Sequence, residues 1–172
     1  SALVFALTSR KFTVFNAGMV KTSILGKQEM LYAEATSSTL SRIKIFVNLI
    51  YTGTTTSATI TSENQTIKVY IERYTEDSEL DPVWDTLIEV IAEKMYVEMQ
   101  RSNRVPWTKG LYITELGLEG VKKKGVPRFI PFHELNIRDD VGGIQVYYLN
   151  KTKLFFLPSS TPQFFPGLLL FQ

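Results

Sequence analysis

The sequence predicts a mostly β, α+β fold: two small β-barrel or β-sandwich units with one long amphipathic helix between them. Two observations support this prediction. A strand pattern occurs twice, in Phe5–Gly18 and in Gly110–Val121, and each copy has a short apolar strand ending in Thr, a polar turn and a second strand with a glycine. Between the copies, residues 81–102 carry apolar side chains at the spacing of a helix.

The first half of the chain, residues 3–74, is predicted to form strands because it is rich in β-branched and aromatic residues. Apolar and polar residues alternate in Arg42–Leu49 and in Thr66–Tyr74, which predicts half-buried strands. Thr52–Ser57 is predicted to be a wide hairpin or an edge strand. The positions predicted to face the core are Ile43, Ile45, Val47, Leu49, Ile67, Val69 and Ile71.

The helix is predicted to begin at Asp81, whose carboxylate can cap it, with Pro82 at the first helical position. Asn103–Pro106 is predicted to end it, because a proline disfavours the α conformation of the residue before it. The apolar face of the helix consists of Trp84, Leu87, Ile88, Ile91 and Met95. We expect this face to close the first β unit.

The second half returns to strands, with a turn predicted at Asp139–Gly143 because paired glycines permit a positive φ. The tail Ser159–Phe171 is predicted to be the start of a helix that the end of the chain truncates. The predicted strands are 111–114, 118–123, 128–135, 143–149 and 153–157. The predicted domains are residues 1–104, which end in the long helix, and residues 105–172, a shorter unit with a truncated terminal helix.

Two stretches of the chain carry a family resemblance. Leu7–Phe12 with Gly18 resembles the first hairpin of bacterial pleckstrin-homology-like (PH-like) domains. Tyr112–Leu118 followed by Ile130–Leu135 is similar to uncharacterised bacterial PH-like families, in which an Ile/Leu-Pro-Trp/Phe-x-Glu-Ile/Leu strand follows a strand that ends before a glycine. The resemblance covers most of the chain and implies two PH-like units in tandem, the second one short for the seven strands of the family.

The resemblance also implies a function class. PH-like units of this kind are binding or scaffolding modules, often found beside membrane segments, with no enzyme activity, no cofactor and no fixed ligand. The expected partner is another protein or a membrane surface. The net charge of +2 disfavours nucleic acid, which usually selects strongly basic proteins. A small enzyme of unrecognised type is the alternative from a different class.

Composition bounds the location of the protein. The chain has no cysteine, which excludes disulfides and thiolate metal sites and fits a reducing compartment. It has no run of about 18 apolar residues and no signal-peptide pattern. Because Ser1 leads almost directly into a predicted strand, we expect flanking sequence outside this chain. The predicted location is cytoplasmic, with any membrane association supplied by segments outside the chain.

Residues suited to catalysis or metal binding are sparse. His133 is the only histidine, which excludes a multi-histidine metal site and weakens any histidine-based mechanism. Glu134, Asp139 and Asp140 could act as acid and base or bind a hard cation. Water-facing turn carboxylates explain them better, because no nucleophile or phosphate loop is nearby. We therefore expect no catalytic residue and no metal site.

The strongest functional signal is a basic run around a predicted hairpin tip at Gly125–Pro127. The run consists of Lys122, Lys123, Lys124 and Arg128. In PH domains that bind phosphoinositides, basic residues on and beside the first hairpin hold the phosphates, so the resemblance implies that this run could bind an anionic lipid headgroup. The alternative is a solvated hairpin that protects a sheet edge from aggregation. A thinner basic set on the first unit consists of Arg10, Lys11, Lys21 and Lys27.

Overall fold

The fold is seen in a computed structural model that describes most of the chain. The described residues are 11–15, 17–23, 25–73, 81–108, 110–123 and 126–170. Within these ranges, only the backbone is described at residues 11, 45, 46, 51, 71–73, 81, 121–123, 126 and 127. The chain divides into two compact units, Ser1–Ser38 with Arg42–Val90 and Thr39–Ser41 with Ile91–Gln172.

The first unit contains two three-stranded antiparallel sheets in its described part. Its strands are β1 (Lys11–Phe15), β2 (Gly18–Ser23), β3 (Gly26–Leu31), β4 (Ser37–Val47), β5 (Ile50–Thr61) and β6 (Thr66–Arg73). The strand orders are β1–β2–β3 and β4–β5–β6. A single 3-10 turn, Tyr32–Glu34, connects the first sheet to the second.

The second unit repeats this order with one more strand. Its strands are β7 (Val105–Thr108), β8 (Leu111–Ile113), β9 (Gly117–Lys123), β10 (Val126–Pro131), β11 (Leu135–Asp140), β12 (Gly143–Tyr148) and β13 (Lys153–Pro158). The strand orders are β10–β9–β8–β7 and β11–β12–β13. A 3-10 turn, Phe132–Glu134, again joins the two sheets, and a short helix, Phe164–Leu169, follows the last strand.

The fold is therefore mostly β with two helices, as the sequence predicts, but the expectation of a closed barrel is not met. Each of the four sheets in the described chain is open, with two edge strands. β7 was not predicted, since four residues that include a proline give little strand signal. The opening residues Phe5–Arg10 of the first strand pattern lie outside the described part of the chain. Gly18, predicted to share a strand with Phe12, instead begins the next strand.

The long helix is confirmed as α1 (Asp81–Ser102). The most buried positions of its predicted face are Trp84, Leu87, Ile91 and Met95, each at most 4% exposed. Ile88 is half-buried, while Ala92 and Met99 extend the buried stripe. Asn103 follows the helix in the left-handed conformation, with a φ of 60°, which ends the helix where the sequence predicts. The predicted terminal helix is also present, as α2 (Phe164–Leu169).

A corner built on a glycine links the two sheets of the first unit. Gly18 begins β2 and pairs with Leu31, the last residue of β3. A Cβ at Gly18 would lie 2.5 Å from the carbonyl oxygen of Met30, so a side chain does not fit there. The Tyr32 amide donates to the Ala17 carbonyl oxygen at 2.9 Å and so begins the 3-10 turn.

The second unit has the same corner at equivalent positions. Gly117 begins β9 and pairs with Pro131, the last residue of β10. A Cβ at Gly117 would lie 2.2 Å from the carbonyl oxygen of Ile130. The Phe132 amide donates to the Leu116 carbonyl oxygen at 3.0 Å. Both units therefore share one backbone device, a glycine followed across the hairpin by an aromatic-x-Glu turn.

Tyr32 fastens the first of these corners. Its side chain is buried, and its hydroxyl donates to the carbonyl oxygen of Phe15 at 3.0 Å. The Leu31 amide donates to Oε2 of Glu34 at 3.2 Å, which closes the turn from the other side. Burial raises the pKa of the Tyr32 hydroxyl above its ordinary value.

One predicted strand of the second half is wrong. Arg128–Leu135 was expected to be continuous, but the 3-10 turn interrupts it, so that β10 ends at Pro131 and β11 begins at Leu135. Proline has no amide hydrogen with which to extend a ladder, and this favours the break. His133, predicted to lie on a strand, is exposed in the turn.

The predicted inward face of β4 is also wrong. Ile43, Val47 and Leu49 are 60%, 55% and 96% exposed. Thr52–Ser57 forms neither a wide hairpin nor an edge strand, because it lies inside β5, the central strand of its sheet. The core positions predicted on β6 are confirmed at Ile67 and Val69, which are buried. The side chains of Ile45 and Ile71 are outside the described part of the structure.

Each unit has its own core. Buried apolar side chains of the first unit outside α1 include Met19, Met30, Tyr32, Ala35, Ala58, Ile60, Ile67 and Val69. Those of the second include Val105, Trp107, Leu111, Ile113, Leu118, Ile130, Ile144, Val146, Leu157 and Phe164. Nε1 of Trp107 donates to the carbonyl oxygen of Phe164 at 3.2 Å, and a Cβ at Gly167 would lie 2.1 Å from the indole ring. The short helix α2 therefore packs directly on the buried tryptophan.

The corner predicts the effect of adding one methyl group. We expect Gly117→Ala to lower the free energy of unfolding by about 2–3 kcal/mol, because its Cβ would meet rigid backbone atoms. Gly110→Ala is the control: its Cβ would have no neighbour within 4 Å, and its φ of 77° should cost only about 1 kcal/mol. Urea denaturation measures both, and equal losses would contradict the packing explanation.

The buried face of α1 predicts how two substitutions change the free energy of unfolding. Ile91→Ala should lower the free energy of unfolding by about 2–4 kcal/mol, because Ile91 is fully buried and its removal leaves a cavity. Val97, on the same helix but 44% exposed, should lose less than about 1 kcal/mol as Val97→Ala. Similar values for the two variants in thermal or urea unfolding would show that the face is not buried.

Tyr32 predicts a dependence of stability on pH. Because its pKa is raised in the folded chain, its contribution is complete below the unfolded value of 10.0 and is lost as the pH rises above it. Tyr32→Phe should cost about 1 kcal/mol at neutral pH, through the lost hydrogen bond, and should reduce the loss of stability above about pH 10. Tyr96→Phe, at an exposed position, is the control in urea titrations at both pH values. An alkaline loss as steep in Tyr32→Phe as in the parent would contradict this assignment.

Candidate anion-binding surfaces

The basic hairpin predicted from the sequence forms between β9 and β10. Its backbone register pairs Lys123 with Val126 and Lys122 with Pro127. Arg128 is the one member of the basic run whose side chain is described, and it is exposed. The side chains of Lys122 and Lys123, and all of Lys124, lie outside the described part of the structure. The convergence of the four cations is thus a prediction that stays untested.

The described surroundings of Arg128 contain a carboxylate and a second guanidinium group. Arg128 lines a cavity of about 350 Å³ with Tyr112, Glu119 and Phe129. The carboxylate of Glu119 accepts hydrogen bonds from Arg104 at 3.2 and 3.3 Å, and the Arg104 guanidinium lies 4.8 Å from the centre of the Tyr112 ring. Among the described residues here, Arg104 therefore neutralises Glu119, and the excess positive charge comes from Arg128.

A larger groove in the first unit has a different charge balance. Its volume is about 1150 Å³. It is lined by Phe12, Lys21, Ser23, Leu25, Gly26, Lys27, Gln28, Ser57, Ala58, Thr59, Lys68, Val69 and Tyr70. Among the residues whose side chains the structure describes, three lysines and no carboxylate contribute to this lining. We call it the lysine groove.

Strand register explains how one side of the lysine groove is built. Phe12 pairs with Lys21 on β1 and β2, and Lys21 pairs with Gln28 on β3, so these three residues form one row across the sheet. Directly opposed residues share a face, and alternate residues of a strand do too. The row therefore lies on the same face as Met19 and Met30, which are buried. Lys21 is consequently half-buried, at the end of a core-facing surface.

The other side of the lysine groove comes from β5 and β6. Thr59 pairs with Lys68, and Ser57 pairs with Tyr70. Hydroxyl groups thus lie beside an ammonium group and an aromatic ring. Ser23, across the groove on β2, accepts a hydrogen bond from the Leu25 amide at 3.2 Å. Ammonium and hydroxyl groups are donors that phosphate and carboxylate oxygens accept.

A comparison of the cavities of the first unit shows that this charge balance is local. A second cavity, of about 640 Å³, is lined by Lys27 together with Glu29 and Glu34. Lys27 forms an ion pair with Glu29, and both side chains are largely exposed, so the pair holds the ammonium group only weakly. Lys21 and Lys68 have no ion pair with any described residue. Among the described residues, the excess positive charge is therefore greater in the lysine groove than in this second cavity.

The residues considered for acid–base or metal chemistry do not form a site. His133 and Glu134 are exposed in the second 3-10 turn. Asp139 and Asp140 are exposed on β11, where Oδ1 of Asp140 accepts the Val141 amide at 2.7 Å. In the part of the chain that the structure describes, no three His, Asp or Glu residues are grouped so that they could hold a metal ion. Neither α1 nor α2 combines the length and apolarity needed to cross a bilayer.

Two of the three lysines of the lysine groove belong to the basic set that the sequence predicts for the first unit. Lys21 and Lys27 were in the thinner basic set of the first unit, and the structure brings both to one cavity. Lys68 was missed, because the alternation of β6 predicts only that it faces away from the core. The basic residues Arg10 and Lys11 of that set have no described side chains. No local pattern in the sequence predicts that β2, β3 and β6 line the same groove.

Comparison with known proteins gives no match: no family model, no curated protein sequence and no solved structure is significantly similar to the chain. The PH-like resemblance therefore stays a prediction, and function must be argued from the geometry of the described residues.

Proposed function

We propose that the chain is a non-enzymatic binding module that binds a phosphate-bearing, anionic ligand in the lysine groove and acts at a membrane surface. The observation that carries this proposal is the described lining of the groove, which contains Lys21, Lys27 and Lys68 and, among the described side chains, no carboxylate. An anion that enters such a groove meets three ammonium groups, of which that of Lys27 also pairs with Glu29. Charge-assisted hydrogen bonds of this kind are stronger than neutral ones.

The proposal includes two PH-like units. The order of elements supports it, because each unit has an antiparallel meander, a 3-10 corner, a second meander and then a helix. The second unit has seven strands, β7–β13, where the sequence analysis expected fewer than the seven of the family. The shared corner at Gly18 and Gly117 further supports a duplicated unit.

A second candidate site is the basic hairpin of the second unit. The observation that favours it is the exposed Arg128 beside a hairpin that also contains Lys122 and Lys123. Its described surroundings include Glu119, which weakens the case relative to the lysine groove. A role in protein assembly is the remaining alternative, and it requires no anion site at all.

Replacement of two groove lysines tests the proposal. The double variant Lys21→Met, Lys68→Met keeps the apolar stems and removes two charges. We expect it to bind inositol trisphosphate at least about tenfold more weakly than the parent in isothermal titration calorimetry, because each lost charge-assisted hydrogen bond is worth about 1.5–3 kcal/mol. Binding by the parent should weaken as salt rises from about 0.1 to 1 M, since the Debye length falls from about 10 to 3 Å.

Matched variants separate the alternatives. Lys151→Met, Lys153→Met removes the same charge from exposed positions of the second unit and should bind like the parent. The variant with Lys122, Lys123, Lys124 and Arg128 replaced by Ser tests the basic hairpin. A loss confined to that variant would move the site to the hairpin, and unchanged binding in all variants would leave protein assembly as the better function.

A further inference from the structure

The turn between β4 and β5 presents aliphatic side chains to solvent. The exposed fractions are 60% for Ile43, 55% for Val47, 96% for Leu49 and 69% for Ile50. We call these four residues the apolar tip. Several exposed aliphatic side chains in one hairpin are uncommon on soluble proteins, and larger exposed apolar patches mark contact surfaces for a protein or a membrane.

The backbone conformation at the apolar tip makes a leucine at position 49 unfavourable for folding. Asn48 and Leu49 form a two-residue turn with φ values of 50° and 67°. Two-residue hairpin turns with both φ values positive favour Asn followed by Gly, because glycine has no Cβ to clash. Leu49 therefore accepts an unfavourable backbone conformation and also exposes almost its whole side chain. Neither property helps the first unit to fold, so both suggest a role outside the folded core.

The positive charge around the apolar tip favours a partner with a negatively charged surface. Arg42 and Lys44 are exposed on β4, on either side of Ile43 and before the other three residues of the apolar tip. From Ala35 to Ser62, which covers β4 and β5 entirely, the chain has no Asp or Glu. Lys44 precedes Val47, the last residue of β4, by three residues, or about 10 Å along an extended strand. When the turn end of the hairpin enters a bilayer, Lys44 therefore lies at the depth of the headgroup layer.

We propose that the β4–β5 hairpin inserts the apolar tip into bilayers that contain anionic lipid, with Arg42 and Lys44 at the level of the headgroups. Interfacial segments bury apolar groups about 5–10 Å into the headgroup and acyl boundary and use basic residues to attract anionic lipid. A narrow turn with aliphatic side chains and no carboxylate has this combination. The inference deepens the proposed function and rests on it for the action of the chain at a membrane surface.

The central test uses a variant that improves folding while it removes the tip. Leu49→Gly, Ile50→Thr relieves the positive φ at residue 49 and keeps a β-branched residue in β5. We expect its melting temperature to equal or exceed that of the parent. Its partition onto vesicles of phosphatidylserine and phosphatidylcholine should fall at least about tenfold, because two large apolar side chains no longer enter the bilayer. Its affinity for soluble inositol trisphosphate should not change.

A depth measurement tests insertion itself. Leu49→Trp places a tryptophan at the tip, while the native Trp84 and Trp107 are buried and supply a constant background. With anionic vesicles we expect a blue shift of emission and quenching by lipids brominated on the acyl chain. Val141→Trp is the matched control, because Val141 is also in a two-residue hairpin turn and 95% exposed. It should show neither effect.

The outcomes distinguish the two proposals. If Leu49→Gly, Ile50→Thr binds vesicles as the parent does, or if Leu49→Trp is not quenched, the inserted tip is wrong even where inositol trisphosphate binding depends on Lys21 and Lys68. If soluble ligand binding does not depend on those lysines but vesicle binding requires the tip, the lysine groove is wrong and the inserted tip stands. A concentration-dependent dimer that the tip variant abolishes, without binding of the parent to vesicles, would replace the bilayer with a second copy of the chain.

Discussion

The close approach of two backbones at Gly18 and Gly117 is the constraint on which both units depend. At each glycine the neighbouring strand ends and its chain turns, so no space is left for a Cβ. The amide of the next aromatic residue, Tyr32 or Phe132, then finds its acceptor in the preceding hairpin turn. This bond satisfies a backbone donor that leaves the ladder, and it directs the chain from the first sheet of each unit into the second. The glycine and the 3-10 turn occur in both units because in each unit the chain must pass from one sheet into the next.

Long local periodicities could be predicted from the sequence, and short interruptions could not. The helix α1 repeats its apolar spacing over 22 residues, so the period is clear even where Ile88 is only half-buried. The 3-10 turn Phe132–Glu134 has three residues between apolar strands, and its side chains look like a continuation of β10. Its cause is nonlocal, since the acceptor for its first amide is Leu116, in another hairpin. A pattern read along one strand does not contain that information.

The lysine groove also depends on nonlocal contacts that local sequence patterns do not predict. Lys21 and Lys27 could be singled out as basic residues, but their partnership with Lys68 depends on the nonlocal placement of β6 beside the groove that β2 and β3 also line. Lys21 sits on a core-facing row, where a charge is expensive unless solvent or a ligand reaches it. The groove provides that access, so the half-buried position of Lys21 is compatible with folding.

Hydrophobic alternation identifies a face that avoids water, but not what covers that face. Ile43, Val47 and Leu49 have the pattern of a core strand, and the structure exposes them. The two units also differ in how they treat charge: Arg104 and Glu119 neutralise each other in the second, whereas a carboxylate-free stretch runs through β4 and β5 of the first. Both the lysine groove and the apolar tip belong to the first unit, and each is unfavourable for an isolated domain in water. The partner we propose, a lipid bilayer with an anionic layer and an apolar layer, would account for both of these unfavourable features in one unit.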